Sequence, residues 1–223
     1  MRSLPFFLLT AWTPCAFAQT NPNYLPVFES GMKSAGLQLG LNRPMATRDF
    51  DQDVGPGAAL NLSGSYFVLD WIAIGAELGY VTFGARTHAE TDAVGTTADI
   101  EREAAGFYAD IIGRFNLVRE RTWTPYVLGG VGRHTVVMAI TSKTPGALLC
   151  STSGQCSSTA TGSAGSGMTW TVGAGAEFFI IRGMTLSLEA RYRQFNLNKQ
   201  FLIPNSIESL SYQLGMTFYF GHS

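Results

Sequence analysis

Hydrophobic and polar residues alternate along most of the chain, and the pattern is clearest in LSLEARYRQF at 186–195. Apolar residues stand at every second position of this stretch, and the positions between them hold Ser187, Glu189, Arg191 and Arg193. A period of two predicts a β-strand with one apolar and one charged face, because a helix would scatter both sets around its surface. In a soluble protein the apolar face would be buried and the charges would meet water.

Eight segments of this kind follow one another, and we find no helical period of any length beyond the first residues. The predicted strands are 33–43, 57–67, 71–83, 104–116, 124–140, 168–180, 185–196 and 209–220. Most span about a dozen residues, which exceeds the usual strand of a soluble protein and suits a tilted strand that crosses a bilayer.

The two faces of the predicted strands differ consistently. The apolar face includes Leu37, Leu39, Leu41, Ile74, Leu78, Phe107, Ile111, Val172, Phe178, Leu214 and Phe218. The opposite face includes Gln38, Asn61, Glu77, Tyr108, Asp110, Arg114, Glu177 and Gln213. The segment at 124–140 has apolar residues on both faces, so its orientation stays open.

Short and long connections alternate between these strands. Tight turns at 68–70, 117–123 and 181–184 alternate with much longer connections after the first, third, fifth and seventh strands. This rhythm is typical of outer-membrane barrels, whose surface loops are long and whose periplasmic turns are short. Aromatic residues gather near the strand ends, as in interfacial girdles, and no lysine falls in the middle of a predicted strand.

These features predict an all-β protein, an eight-stranded antiparallel up-and-down transmembrane β-barrel. Its apolar faces would meet lipid, and the charges of 186–195 would point into a lumen narrow enough for side chains to fill. A soluble eight-stranded barrel or sandwich with the faces reversed is the alternative. The loop rhythm, the aromatic strand ends, the missing lysines and an export signal weigh against it.

The export signal is the N-terminal stretch MRSLPFFLLTAWTPCAFAQT. Arg2 precedes an apolar run, and the small residue Ala18 ends a site suited to signal peptidase. The run is too short to cross about 30 Å of hydrocarbon, which disfavours a transmembrane anchor. The predicted organisation is a signal peptide at 1–18, a short extension at 19–32 and a barrel domain at 33–223.

Composition and cysteine content narrow the function further. The formal net charge is -1, so no basic surplus exists to neutralise phosphates, and nucleic acid is excluded as a partner. Removal of the signal peptide leaves two cysteines, Cys150 and Cys156, in a run rich in Ser, Thr and Gly. We expect them to close a small loop as a disulfide in an oxidising compartment. Their spacing fits neither a zinc site nor a redox CxxC motif.

Six short motifs mark the strands: GLQLGLN at 36–42, IGAELGY at 74–80, TPYVLGGVG at 124–132, GAGAEFFI at 173–180, LEARYR at 188–193 and the closing YQLGMTFYF. Together they resemble the outer-membrane β-barrel domain of the OmpA/OmpX-like "porin family". The resemblance implies location in the cell outer membrane, contact with its lipid, and insertion by the outer-membrane assembly machinery. It also implies an assembly signal in the last strand, here Tyr212, Phe218 and Phe220. Because the chain stops at the barrel, we expect no peptidoglycan-binding domain after it.

Seven charged residues fall on the predicted lumen face: Glu77, Asp110, Arg114, Glu177, Glu189, Arg191 and Arg193. Four acids and three bases nearly balance, and an isolated charge in a narrow lumen would be costly. We therefore predict a paired network that holds the lumen together. A selectivity or catalytic carboxylate set is the alternative, and it requires an open lumen, which eight strands seldom provide.

Candidate catalytic residues are few. The histidines are His88, His134 and His222. A lipid A deacylase of the PagL type would place a Ser two residues from a strand His, and His134 lacks that Ser. We expect surface or rim histidines, no enzymatic activity, no metal site and no cofactor.

The long loops remain as the place for specificity. The stretch ARTHAETDAVGTTADIERE at 85–103 holds five acids and two arginines, which suits plain solvation or contact with cations or a basic partner. We predict a non-enzymatic barrel with a side-chain-filled polar lumen. Its surface loops would serve envelope integrity or bind an extracellular ligand. A small-solute pore and a lipid-modifying enzyme are the alternatives.

Overall fold

Eight strands form the wall of the molecule. The computed structural model describes residues 28–45, 54–91, 97–118, 122–144, 149–150, 156–157, 159–181, 183–197 and 206–221. The wall strands are β1 Lys33–Pro44, β2 Gly57–Leu69, β3 Ile72–Thr91, β4 Thr97–Asn116, β5 Trp123–Ser142, β6 Thr159–Ile181, β7 Met184–Leu197 and β8 Ser206–Phe220. The predicted signal peptide lies outside the described residues. Within them, no helix is long and apolar enough to cross a membrane.

The sheet is closed and wholly antiparallel. Each strand pairs with the next along the chain, and β8 pairs with β1, with Lys33 opposite Phe220. Three two-residue strands lie in the connections, at Val54–Gly55, Leu149–Cys150 and Cys156–Ser157. The eight-stranded up-and-down barrel that the sequence predicted is therefore confirmed.

The stagger of the strands sets the width of the barrel. We start at Trp123 on β5 and step from each residue to its directly paired neighbour on the next strand. After one turn around the barrel these steps return to β5 at Arg133, ten residues further along the strand than Trp123. A stagger of this size in eight strands goes with a tilt of about 35–45° and an interior that side chains can fill.

Side chains alternate across the wall as the sequence pattern predicted. On β7, Leu188 is 56% exposed on the outside, whereas its neighbour Glu189 is 2% exposed inside. The structure also settles the orientation of β5, which the sequence left open. Tyr126 and Val136 are buried inside, whereas Val127 and Val131 are exposed outside.

Three strands extend far beyond their predicted bounds at the end of the barrel with the long connections. β3 continues to Thr91 and β4 begins at Thr97, so most of the acidic stretch 85–103 is strand rather than loop. β6 begins at Thr159, within the run rich in Ser, Thr and Gly. The prediction missed these parts because small polar residues on both faces leave no hydrophobic alternation to detect.

The opposite end of the barrel carries the tight turns and both ends of the described chain. Here the segment 28–32 lies against β2: the Gly31 amide donates to the Phe67 carbonyl at 2.8 Å, and the Phe67 amide donates to the Met32 carbonyl at 2.8 Å. The turn between β6 and β7 uses Gly183 at a φ of 82°, a backbone conformation that favours glycine. We call this the short-turn end.

Candidate functional site in the barrel lumen

Three charged residues of β7 form the centre of the lumen. Glu189, Arg191 and Arg193 occupy successive inward positions, because the period of two places every second residue on the same face. Arg191 donates to Glu77 of β3, and its Nε lies 2.6 Å from Oε1 of Glu189. The Nη2 atom of Arg193 lies 2.9 Å from Oε1 of Glu77 and 3.4 Å from Oδ2 of Asp110. One cluster thus joins strands β3, β4 and β7.

A second ion pair lies nearer the short-turn end. Arg114 of β4 binds Glu177 of β6 through two parallel hydrogen bonds of 2.6 and 2.8 Å. This bidentate arrangement is the strong form of an arginine–carboxylate contact. The Tyr219 hydroxyl donates to Oε2 of the same carboxylate, and Nε of Arg114 donates to Asn116 at 2.8 Å.

Two tyrosines contact these ionic groups. The Tyr126 hydroxyl donates to Oε2 of Glu189 at 2.7 Å, while the Arg114 guanidinium lies 3.9 Å from the centre of the Tyr126 ring. The Arg193 guanidinium lies 3.6 Å from the centre of the Tyr108 ring. Cation–π contacts of this kind stabilise an arginine that has lost its water.

Tyr108 also shows why glycine is needed in this wall. A Cβ atom at Gly79 would stand only 2.0 Å from Cζ of Tyr108. The aromatic ring therefore lies close to the backbone of β3, an approach that a side chain at this position would block.

All seven charged residues that the sequence assigned to the lumen lie there. Both Arg191 and Arg193 are at most 2% exposed, and each contacts two carboxylates. Removing one partner from such a network leaves a buried charge unpaired, at a cost of about 3–5 kcal/mol. The network fixes β3, β4, β6 and β7 to one another across the lumen.

A stack of aromatic rings closes the lumen at the short-turn end. Phe28 is buried and stacks on Phe67, with ring centroids 5.1 Å apart. It also meets Tyr219 edge-on at 5.5 Å and Phe179 at 5.6 Å. This role could not be predicted from the sequence pattern, because Phe28 lies before the predicted barrel and belongs to no alternating segment.

A second apolar layer closes the opposite end. Its buried members are Val54, Ala59, Val81, Phe83, Ala104, Tyr108, Val136, Met138, Phe195, Leu197 and Ile207. The short strand Val54–Gly55 pairs with Gly84 and Ala85 of β3, which brings Val54 into this layer. The lumen is therefore filled in three layers: an aromatic layer, a charged layer and an aliphatic-rich layer.

His134 lies beside the third layer rather than on the surface or rim, so that prediction was wrong for this residue. It is 3% exposed, and its ring meets Phe195 edge-on with centroids 5.0 Å apart. It points inward because the even-numbered residues of β5 face the lumen. His88 is half-buried in the outer part of β3, and His222 lies outside the described residues.

The surroundings of His134 do not form a catalytic set. Neither ring nitrogen has a hydrogen-bond partner within the described part of the chain. Directly paired with His134 are Tyr108 and Gly167, neither of which supplies a carboxylate or a nucleophilic serine. Among the described residues, no three His, Cys, Asp or Glu side chains are grouped to hold a metal ion.

A cavity of about 60 Å³ lies among the polar residues around Gln38, Glu189 and Arg191. Such a volume has room for a few water molecules, each of which needs polar partners. Among the described residues, the side chains thus leave a small polar cavity but no wide channel at this level.

The remaining predicted sites lie outside the lumen. The backbone pairs Cys150 directly with Cys156 in a two-residue hairpin, and the disulfide between them stays a prediction. Tyr212, Phe218 and Phe220 face outward from β8, and their role as an assembly signal also stays a prediction.

Comparison with known proteins identifies the family. The family described as outer membrane protein beta-barrel domain matches residues 14–220. The chain belongs to this family. Membership places the barrel in the outer membrane, with the short-turn end at the periplasmic side and the long connections outside. No curated protein matches the sequence.

Solved structures of other outer-membrane barrels are similar to this family member. They include Ail, the attachment invasion locus protein of Yersinia pestis, with 14% identity, coverage of 86% of this chain and 99% of that chain, and a TM-score of 0.47. OprG of Pseudomonas aeruginosa has 13% identity, coverage of 88% and 99%, and a TM-score of 0.45. The outer membrane protease OmpT of Escherichia coli has 9% identity, coverage of 88% and 99%, and a TM-score of 0.44.

Proposed function

We propose that the protein is a closed, non-enzymatic barrel that holds exposed hairpins above the outer membrane, for envelope integrity or for contact with an outside partner. The observation that carries this proposal is the three-layered filling of the lumen. A solute would have to pass the ring of Phe28, the paired charges around Arg191 and the apolar layer around Phe195.

The ionic layer opposes conduction most strongly. An ion entering this layer would have to compete with contacts such as the bidentate pair of Arg114 and Glu177. In surroundings less polar than water these attractions are stronger than on a surface. A steady ion path would therefore require the network to open.

The exposed hairpins are the second support for the proposal. Strands β3, β4 and β5 contain 20 residues each and β6 contains 23. A tilted strand needs only about 9–11 residues to cross the membrane. The hairpins β3–β4 and β5–β6 therefore extend well beyond it, and an ion pair of 2.9 Å between Lys143 and Glu101 joins them. They offer an exposed surface to a partner.

The two alternatives have weaker support. A pore requires a path that the three layers block. A lipid-modifying enzyme requires an activated nucleophile, and the described surroundings of His134 hold no serine or carboxylate in contact with its ring nitrogens.

Conductance of the purified barrel in planar bilayers tests the closed lumen. We expect no regular current steps from a sample whose heat-modifiable gel mobility shows it to be folded. Regular steps whose ion preference changes in Glu189→Gln would favour the pore and contradict the proposal.

Shortening a hairpin tests the surface role. Replacing 87–101 with a two-residue turn joins Arg86 to Arg102, which are directly paired, so the barrel below should remain intact. In cells that lack the native gene, we expect this variant to fold but to fail to restore envelope resistance to detergent or attachment to surfaces. Full restoration of every phenotype by the shortened barrel would contradict a function in this hairpin.

A further inference from the structure

Arg133 is an arginine that faces the lipid rather than the lumen. Arg133 lies on the exposed face of β5 in line with Val131 and Thr135. No ion pair or hydrogen bond joins its guanidinium to another described residue. On the lipid face of a barrel such a charge costs about 2–4 kcal/mol at mid-bilayer and about 0–1 kcal/mol near the interface.

The position of Arg133 is the outer interface. It stands ten residues above Trp123, which is exposed at the periplasmic end of the same strand. At about 3.3 Å per residue and a tilt of about 40°, this distance corresponds to about 25 Å along the membrane normal, the usual height of the apolar band. Tyr80 and Phe107 contact each other near the same level, with tilted rings whose centroids are 4.6 Å apart, as in an aromatic girdle.

Arg133 also lines an apolar groove in the barrel surface. The groove has a volume of about 800 Å³, and its walls include Leu60, Leu78, Phe107 and Met168. The groove is deep beside Arg133 because the directly paired residue on β4 is the small Ala109. Such a shape suits hydrocarbon chains, and the single cation at its outer end suits an anionic headgroup.

Two hydroxyl groups extend the polar end of the groove. Thr135 follows Arg133 on the outer side of β5, and Ser166 of β6 is directly paired with Thr135. Both line the groove. Together with the arginine they provide donors for a phosphate and for the sugar that carries it.

We propose that this groove binds the lipid A part of lipopolysaccharide, the phosphorylated glycolipid of the outer leaflet. A phosphate of the glucosamine backbone contacts Arg133, and acyl chains fill the groove between Leu78 and Met168. The positive charge of Arg133 at the level of the lipid headgroups favours an anionic group there, and the apolar walls of the groove favour acyl chains. Arginine suits this role because its planar guanidinium can bind two phosphate oxygens at once.

Native mass spectrometry of the detergent-released barrel tests the site. The probes are purified bisphosphorylated lipid A, the same lipid with its phosphates removed, and phosphatidylglycerol. We expect retention of bisphosphorylated lipid A, with affinity at least about tenfold lower for Arg133→Gln, because a charge-assisted contact is lost. Arg133→Lys should lose less, since it keeps the charge but not the bidentate geometry.

The matched control is Arg43→Gln, since Arg43 is also an exposed arginine near the outer end of a strand but lies outside the groove. Its lipid A binding should equal that of the unmodified protein. Equal retention of the dephosphorylated lipid, or no loss in Arg133→Gln, would overturn the proposal. Equal retention of phosphatidylglycerol would show a general anion site and would also overturn it. Heat-modifiable mobility of each variant separates lost binding from failed folding.

Discussion

The two faces of β7 lie at the same depth in the membrane and have opposite chemistry. Leu188 is more than half exposed, whereas the adjacent Glu189 is almost wholly buried. In a soluble protein the exposure of these two residues would be reversed. The difference shows that the surroundings of the wall decide which face carries charge. Leucine is stable on the outside because it meets lipid, and the carboxylate is stable inside because arginine and tyrosine bind it.

The inner face is not uniformly polar, which refines this comparison. The charged layer lies in the middle of the lumen, where water has little access, and apolar layers lie at both ends. Charges in the middle therefore depend on one another for stabilisation rather than on solvent. This dependence predicts that a single change on the inner face will cost more than one on the outer face.

Arg191→Met should have the largest effect. The change leaves Glu77 and Glu189 without their shared cation, and we expect the free energy of unfolding to fall by about 3–5 kcal/mol. Reversible urea unfolding from lipid vesicles measures the change.

Arg43→Met is the control for the removal of an arginine, because Arg43 faces outward and the structure shows no ion pair for it among the described residues. We expect a change below about 1 kcal/mol for an exposed site of this kind. Equal losses in Arg191→Met and Arg43→Met would mean that the lumen network does not act as a mutually dependent unit.

Leu188→Arg should have the second largest effect, from the other face of the same strand. We expect a loss of about 2–4 kcal/mol, the cost of an arginine on the lipid face near mid-bilayer. The same unfolding measurement gives the value, and Leu188→Met, which keeps the volume and apolar character, should be mild. If vesicle-inserted protein tolerated the arginine, the assignment of this face to lipid would be wrong.

The sequence predicted the features that depend on a simple period. All eight strands were placed, and the residues assigned to each face, such as Leu188 and Glu189, lie on that face. The reason is that lipid on one side and a narrow lumen on the other apply the same rule to every strand within the membrane. Beyond the membrane both faces meet water, so the rule stops and the outer parts of β3 and β6 were missed.

The fine structure of the lumen could not be predicted from the pattern. Alternation showed that Arg114 and Glu177 face inward, but their pairing depends on the stagger of the strands around the closed barrel. Likewise, Phe28 enters the lumen through contacts between distant parts of the chain, which no local period records. The orientation of β5, and with it the burial of His134, required the strand pairing itself.

Phe28→Ala tests the apolar end of the inner face, and its effect should be smaller. The ring is buried against Phe67, Tyr219 and Phe179, so its removal should lower the free energy of unfolding by about 1.5–3 kcal/mol. The barrel should still conduct no steady current, because the charged and aliphatic-rich layers remain. Regular current steps in Phe28→Ala would show that the aromatic layer alone closes the lumen.

Cys150→Ser should have the smallest effect, because Cys150 lies outside the barrel wall, where there is no lipid face and no lumen face. The backbone pairs Cys150 with Cys156 in a hairpin that forms its own two-stranded sheet, separate from the barrel wall. A disulfide stabilises a fold chiefly by restricting the unfolded chain. Because this connection lies outside the cooperatively folding barrel, a bridge would restrict it to a similar extent in the folded and in the unfolded protein. We therefore expect the unfolding free energy of the barrel to change by less than about 1 kcal/mol. Alkylation of exported protein, followed by mass spectrometry with and without reductant, should find both thiols protected until they are reduced. Free thiols would exclude the bridge, and a large loss of barrel stability in Cys150→Ser would show that this connection is part of the folding unit.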